Sequence, residues 1–181
     1  MGAHTPEEAK KMLIEGNRRY VASKAAALDA SEEVLKASKE GQEPYAIIIA
    51  CSDSRVIPEA IFSAGIGDLF VIRVAGNVID SSQLGSIEYA SGHLGAGLVV
   101  VLGHNNCGAV DAALHHSNEG YIKYITDEIL KAVGDEKDDM KACRLNVEHS
   151  CSVIRNSLQK NSALEVAGAV YHLESGRVEF L

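Results

Sequence analysis

No stretch of this 181-residue chain approaches the roughly 20 consecutive apolar residues that span a bilayer. The most apolar runs, Ala46–Cys51 and Leu98–Leu102, are strand-sized, so no membrane segment is expected. Basic clusters are missing too: the formal charge is −8, and no run of Lys or Arg offers a polyanion a footprint. Nucleic acid and acidic membrane surfaces are therefore not expected partners. The first residues are broken by Glu7, Glu8, Lys10 and Lys11 where a secretory signal would be apolar, so a cytoplasmic protein is expected. No two of the four cysteines fall in a C-x-x-C spacing, which argues against a thioredoxin-like redox role; in a reducing compartment disulfides are not expected either. Tryptophan is absent altogether. Internal repeats, low-complexity tracts and linkers are also missing, and the chain reads as a single domain over residues 1–181.

What is present suits a packed core, since hydrophobic residues make up 46% of the sequence and charged ones 23%. Thr5-Pro6-Glu7-Glu8 has the form of a capping box with Pro at the first helical position, and predicts a helix to about Lys24. A second helix is expected from near Ser31 to Glu40, ended by Gly41, so that residues 1–40 form an N-terminal helical arm. Tyr45–Ala50, Leu69–Val74 and Leu98–Leu102 are short β-branched runs and read as buried strands. Helical segments at Pro58–Ala64 and about Ser82–His93 alternate with them. Strands alternating with helices predict an α/β fold with a mainly parallel central sheet flanked by helices. Beyond Gly108 a short helix toward His115 and another over Tyr121–Val133 are expected. Met140, Cys143, Val147, Cys151, Ile154 and Leu158 then recur along one helical stripe, which assigns Cys143 and Cys151 to the core. Val166–Leu173 and Arg177–Leu181 flank Glu174-Ser175-Gly176 as a closing C-terminal hairpin.

Two of the strands run into residues that bind metals. The first leads into Cys51-Ser52-Asp53-Ser54-Arg55, and the third, through Gly103, into His104-Asn105-Asn106-Cys107-Gly108. Sites in open parallel sheets form outside the carboxyl ends of the strands, so both clusters should face one crevice. Two thiolates and an imidazole suit zinc, and three protein ligands leave the fourth position for a water, the pattern of a catalytic site. Cys107 at a helix start would gain thiolate stabilisation from the helix dipole, and His104 would have to bend inward from the strand end. Because two thiolates cancel the charge of the ion, its water is acidified less than by neutral imidazoles, and a group that orients the nucleophile becomes useful. Asp53, paired with Arg55, would stay ionised and off the metal and accept that proton.

The segments CSDSRV (Cys51–Val56), VIRVAGN (Val71–Asn77), SIEYA (Ser86–Ala90) and GHNNCGAV (Gly103–Val110) together resemble the β-class carbonic anhydrases, and the likeness covers the chain from Gln42 onward. The resemblance implies reversible hydration of carbon dioxide to bicarbonate and a proton by attack of zinc-bound hydroxide. Cys51, His104 and Cys107 would hold one Zn2+ per subunit, with Asp53 and Arg55 as the catalytic dyad. It further implies a homodimer, a tetramer being the next assembly, with the N-terminal helices wrapped on the neighbouring subunit and the active site at the interface. Gln42, Phe70 and Tyr89 match pocket residues of the plant-like branch, and the Gly108 amide is expected to contact a bicarbonate oxygen. Another branch closes its site with a bicarbonate pocket containing a Trp where this chain has Ile48, so an open, non-allosteric site is expected. The plant-like branch has Val where this chain has Ala75, which alters the apolar wall beside the substrate.

Taken singly, a buried Cys is a small hydrophobe, Gln42 the end of a helix, and Phe70 or Tyr89 core filling; their combination gives them weight. Two other functions fit the same residues. Hydrolysis of carbonyl sulfide or carbon disulfide would present the same electrophilic carbon to the site. A non-catalytic zinc-binding module would close the fourth position with Asp53.

Overall fold

The computed structural model describes residues 4–24, 27–158 and 164–181; residues 1–3, 25 and 26 of the expected arm lie outside the described residues. Its centre is a five-stranded sheet: β1 (Ala46–Ala50), β2 (Leu69–Arg73), β3 (Leu98–His104), β4 (Glu165–Tyr171) and β5 (Val178–Phe180), in the order β2-β1-β3-β4-β5. The first four strands run parallel, and β5 turns back antiparallel on β4 as the expected hairpin. The helices are α1 (Pro6–Val21), α2 (Glu32–Ser38), α3 (Pro58–Ile61), α4 (Ser81–His93), α5 (Gly108–Leu114), α6 (Lys123–Val133) and α7 (Asp139–Ser157). None of the described helices is long and apolar enough to cross a membrane.

The period-two alternation of β-residues sorts the core into two layers. Ala46, Ile48 and Ala50 of β1 and Leu98, Val100 and Leu102 of β3 pack with Ala9 and Leu13 of α1 and with Ile61 and Phe62. Ile47, Ile49, Val99 and Val101 face the other way, onto Ile87 of α4 and the α7 stripe of Cys143, Val147, Cys151 and Ile154. Both cysteines of that stripe are buried core residues, as their spacing predicts. Each Ile, Val or Leu buried in this way contributes about 1.5–3 kcal/mol, so the two layers together fix the sheet against the helices.

Several element ends differ from the sequence expectation. The capping box at Thr5 forms, but α1 ends at Val21 and not near Lys24. Its Ala9, Leu13, Gly16 and Asn17 are buried against its own chain, so α1 packs into the core of its own subunit, whereas α2 buries no residue at all. The approach is close at Gly16, where a Cβ would come within 1.8 Å of the Phe62 carbonyl oxygen. Helix α4 begins at Ser81, capped by Asp80, whose side chain and Gln83 make a second capping box. Strand β3 continues past Leu102 to His104, because Gly103 and His104 pair with Val170 and Tyr171 of β4.

Candidate metal centre

β1 has β2 on one side and β3 on the other, and the crevice where the chain order diverges lies beyond their carboxyl ends. Cys51 directly follows β1, His104 is the last residue of β3, and Cys107 is the N-cap of α5. His104 needs no bend to arrive there, since it remains in the β3–β4 ladder. Asn106, at φ 52°, reverses the chain between the two ligand residues. One ligand atom from each of Cys51, His104 and Cys107 lies within 4.8 Å of the others, and the two Sγ atoms are 3.9 Å apart.

The buried polar atoms of this cluster fit a cation. The His104 ring nitrogen Nδ1 lies 2.9 Å from the Asn105 carbonyl oxygen, which can only accept, so Nδ1 carries the proton and Nε2 presents its lone pair. Nε2 is buried with no hydrogen-bond partner. Leaving such an atom unsatisfied costs about 1–3 kcal/mol, a cost a bound ion removes. The hydrogen bond between the Cys51 and Cys107 sulfurs, with the His104 side chain and the Gly76 N–H beside it, lowers the Cys51 pKa from its ordinary thiol value. The same bond, with burial, pushes the Cys107 thiol far up. A divalent ion binding here would displace the protons that the thiols still carry.

Asp53 stands at the edge of this cluster, its Oδ2 3.9 Å from His104 Nε2. Its Oδ1 accepts the Arg55 backbone N–H and Nε–H, both at 2.9 Å, and its Oδ2 accepts from Arg55 Nη2 at 2.7 Å. This bidentate fork holds the Asp53 carboxyl well below the usual carboxylate range, despite its partial burial. Arg55 Nη2 also donates to the Asn106 carbonyl at 3.1 Å, which ties the dyad to the loop between the other two ligands.

Further residues build the centre that the sequence did not single out individually. Arg73, at the end of β2, donates through Nε to the Cys51 carbonyl at 3.2 Å and through Nη2 to the Asp53 carbonyl at 2.7 Å, pinning the first ligand segment. Gly76 has φ 68° and aims its N–H at Cys51 Sγ, 3.3 Å away. A side chain there would be both strained and crowded, its Cβ 2.7 Å from Ile129 Cδ1. The Asn105 side chain brackets the β4–β5 turn, donating to the Glu174 carboxylate and accepting the Leu173 N–H, each at 2.9 Å. Asp139, the first residue of α7, accepts the Asn106 N–H at 2.8 Å. A glycine just after a strand was the one signal in the sequence for any of these; the others meet only through the tertiary fold.

Of the remaining expected pocket residues, Gln42, Phe70 and Tyr89 are not gathered here within one chain, whereas Gly108 is. Gln42 precedes β1 and Cys51 follows it, so at about 3.3 Å per residue more than 10 Å of strand separates them. Phe70 pairs with Ile47 at the far end of β1, and Tyr89 lies beside it, ring centroids 6.1 Å apart, with Tyr89 exposed on α4. Gly108 opens α5 next to Cys107, and the space a Cβ would take there is empty. Ile48 is buried in the β1 core layer, and Ala75 lies in a short 3-10 turn after β2.

The family model for carbonic anhydrase matches residues 46–178. Among characterised relatives, carbonic anhydrase 2 of Mycobacterium tuberculosis is 38% identical, covering 95% of this chain and 91% of its own. The carbonic anhydrase of Mycolicibacterium smegmatis is 34% identical over 96% of this chain and 92% of its own. Among solved structures, a tetrameric β-carbonic anhydrase of Sordaria macrospora superposes with a TM-score of 0.74 at 27% identity, covering 96% of this chain and 97% of that one. A parallel sheet with a Cys–His–Cys cluster beyond its carboxyl edge is the arrangement of a β-class carbonic anhydrase, and this chain belongs to that family. It is, accordingly, a carbonate dehydratase.

Proposed function

We propose that the protein hydrates carbon dioxide reversibly at a single zinc ion held by Cys51 Sγ, His104 Nε2 and Cys107 Sγ. The observation that carries the proposal is the convergence of these three atoms within 4.8 Å, one of them a buried nitrogen without a partner. Zinc on two thiolates and an imidazole would supply the Lewis acidity that makes water a nucleophile near neutral pH. Asp53, kept ionised by Arg55, accepts the hydrogen bond of the attacking water and turns an oxygen lone pair toward the carbon. Arg55 keeps the carboxylate from entering the cluster, and its three bonds to Asp53 support a catalytic centre over a closed zinc module. The Gly108 N–H, free at the start of α5, donates to an oxygen of the forming bicarbonate.

Gln42, Phe70 and Tyr89 line the substrate pocket in this proposal, and the length of β1 means they reach a zinc site only from a second copy of the chain. The working unit is then a homodimer, in the cytoplasm, with the tetrameric neighbour as precedent for pairs of dimers. The test is bound zinc counted together with stopped-flow hydration. The parent should hold about one zinc per chain and accelerate hydration above buffer, whereas Cys107→Ser should lose both. Stoichiometric zinc without hydration above background, and with turnover of carbonyl sulfide or carbon disulfide, would transfer the site to sulfur analogues.

A further inference from the structure

The loop His104-Asn105-Asn106-Cys107 must hold two ligands and one anchor of the dyad, yet at its centre Asn106 adopts φ 52°, a conformation uncommon outside glycine. Both faces of this residue are tied. Its carbonyl accepts from Arg55 Nη2 at 3.1 Å, and that same nitrogen donates to Asp53 Oδ2 at 2.7 Å. Its N–H donates to Asp139 Oδ2 at 2.8 Å, across 33 residues of sequence. Asp139 is the first residue of α7, whose start is separately capped by the Asp138 side chain on the Lys141 N–H. The Asp139 carboxylate is therefore not needed as the helix cap. Helix α7 is itself locked on the sheet by Cys143, Val147 and Cys151, so its first residue is a fixed point against which the loop is set.

We propose that Asp139 is a positioning residue for the reaction: through the Asn106 backbone it sets where Arg55 holds the Asp53 carboxylate. The proposal rests on the reading of Asp53 and Arg55 as the catalytic dyad. Without the Asp139 acceptor, Asn106 is free to relax from its left-handed conformation, and its carbonyl leaves the place where Arg55 donates. The fork from Arg55 to Asp53 then loses its third support, while Cys51, His104 and Cys107 remain to bind the metal. Asp139 touches neither substrate nor ion, so its loss should lower turnover per bound zinc more than it lowers zinc content.

The variants Asp139→Ala and Asp139→Asn separate the carboxylate's hydrogen bond from its charge, because the Asn oxygen still accepts an N–H. Activity per bound zinc should fall about tenfold in D139A, with kcat bearing the loss and KM within about twofold of the parent. D139N should recover most of it. In the zinc-free protein, the Asn106 amide should exchange with solvent about tenfold faster in D139A than in the parent, and D139N should restore its protection. D139A activity per zinc within twofold of the parent overturns the proposal, as does unchanged Asn106 exchange or a D139N loss as deep as that of D139A. Failure of the underlying reading looks different: Asp53→Ala would then turn over normally.

Discussion

Gly103 precedes the ligand His104 on β3, and its backbone runs directly beneath α7. Replacing it with alanine would place a Cβ 2.5 Å from Val147 Cγ2 and 3.0 Å from Cys143 Sγ. Carbon atoms in comfortable contact stand about 3.5–4.0 Å apart, so something must move by about 1 Å. Val147 cannot swing aside, because a β-branched side chain in a helix has one strongly preferred rotamer. Either α7 lifts from the sheet or β3 shifts with its terminal histidine. Overpacking of this kind costs about 1–3 kcal/mol. For a chain of this length, each kcal/mol lowers the melting temperature by roughly 2–4 °C, so Gly103→Ala should melt roughly 2–12 °C below the parent. Gly168→Ala presses on the same valine from β4, its Cβ 2.8 Å from Val147 Cγ1, but it pairs with Val101, three residues before the ligand His104 and not beside it. It should destabilise without weakening zinc, whereas Gly103→Ala should weaken zinc as well. Thermal unfolding at fixed protein and zinc concentrations, with chelator competition for the metal, measures both. Adding Val147→Ala should cost less in the Gly103→Ala background than in the parent, since the two side chains contend for one space. A Gly103→Ala protein that melts within about 1 °C of the parent and keeps its zinc affinity would refute the packing argument.

Asp53→Ala should keep about one zinc per chain and lose hydration by about 100-fold or more; normal turnover would remove Asp53 from the reaction. The pairing with Arg55 also has a pH signature. The Asp53 pKa is depressed in the folded protein, so the stability it contributes is present above the ordinary carboxylate range and is lost as pH falls below it. In zinc-free protein, Arg55→Ala should therefore shrink the drop in melting temperature between neutral and strongly acid solution, and an undiminished drop counts against the pairing. If Tyr89 serves the neighbouring site, co-folded Cys107→Ser and Tyr89→Ala chains should complement each other. Random pairing makes half of the dimers mixed, each with one intact site, so about a quarter of parent activity should return. No recovery would place Tyr89 in its own chain's chemistry or outside the reaction.

The parts of the fold legible in the sequence were those in which a local pattern and the tertiary structure agree. Thr5 and Glu8 form the capping box their spacing announces, and the β-branched runs at Ala46 and Leu98 are buried strands. The capping box of Asp80 and Gln83 starts α4 at Ser81, one residue ahead of the expected Ser82, where the serines that follow Asp80 resemble caps themselves. The apolar pattern of β3 ends at Leu102 because glycine weakens a strand, yet the β4 ladder carries it two residues further. The cysteines and histidine of the cluster were legible because each lies beside a strand end, where a parallel sheet places its sites. Asp139 and Glu174 were not, because their contacts with the ligand loop span 33 and 69 residues and depend on how α7 and the hairpin are docked.

That division has a physical cause. The sheet brings Cys51 and His104 to one crevice by strand order alone, but it does not determine the path of the backbone beyond the strands. There the geometry comes from side chains reaching back to main-chain atoms: Arg73 onto the carbonyls of Cys51 and Asp53, Asn105 onto the hairpin, and Asp139 onto Asn106. Each of these bonds joins a ligand segment to an element fixed by the core. A site whose chemistry needs atoms placed to within about half an ångström depends on those ties as much as on its ligands. Substituting one of them should therefore leave the metal in place and degrade what the metal does.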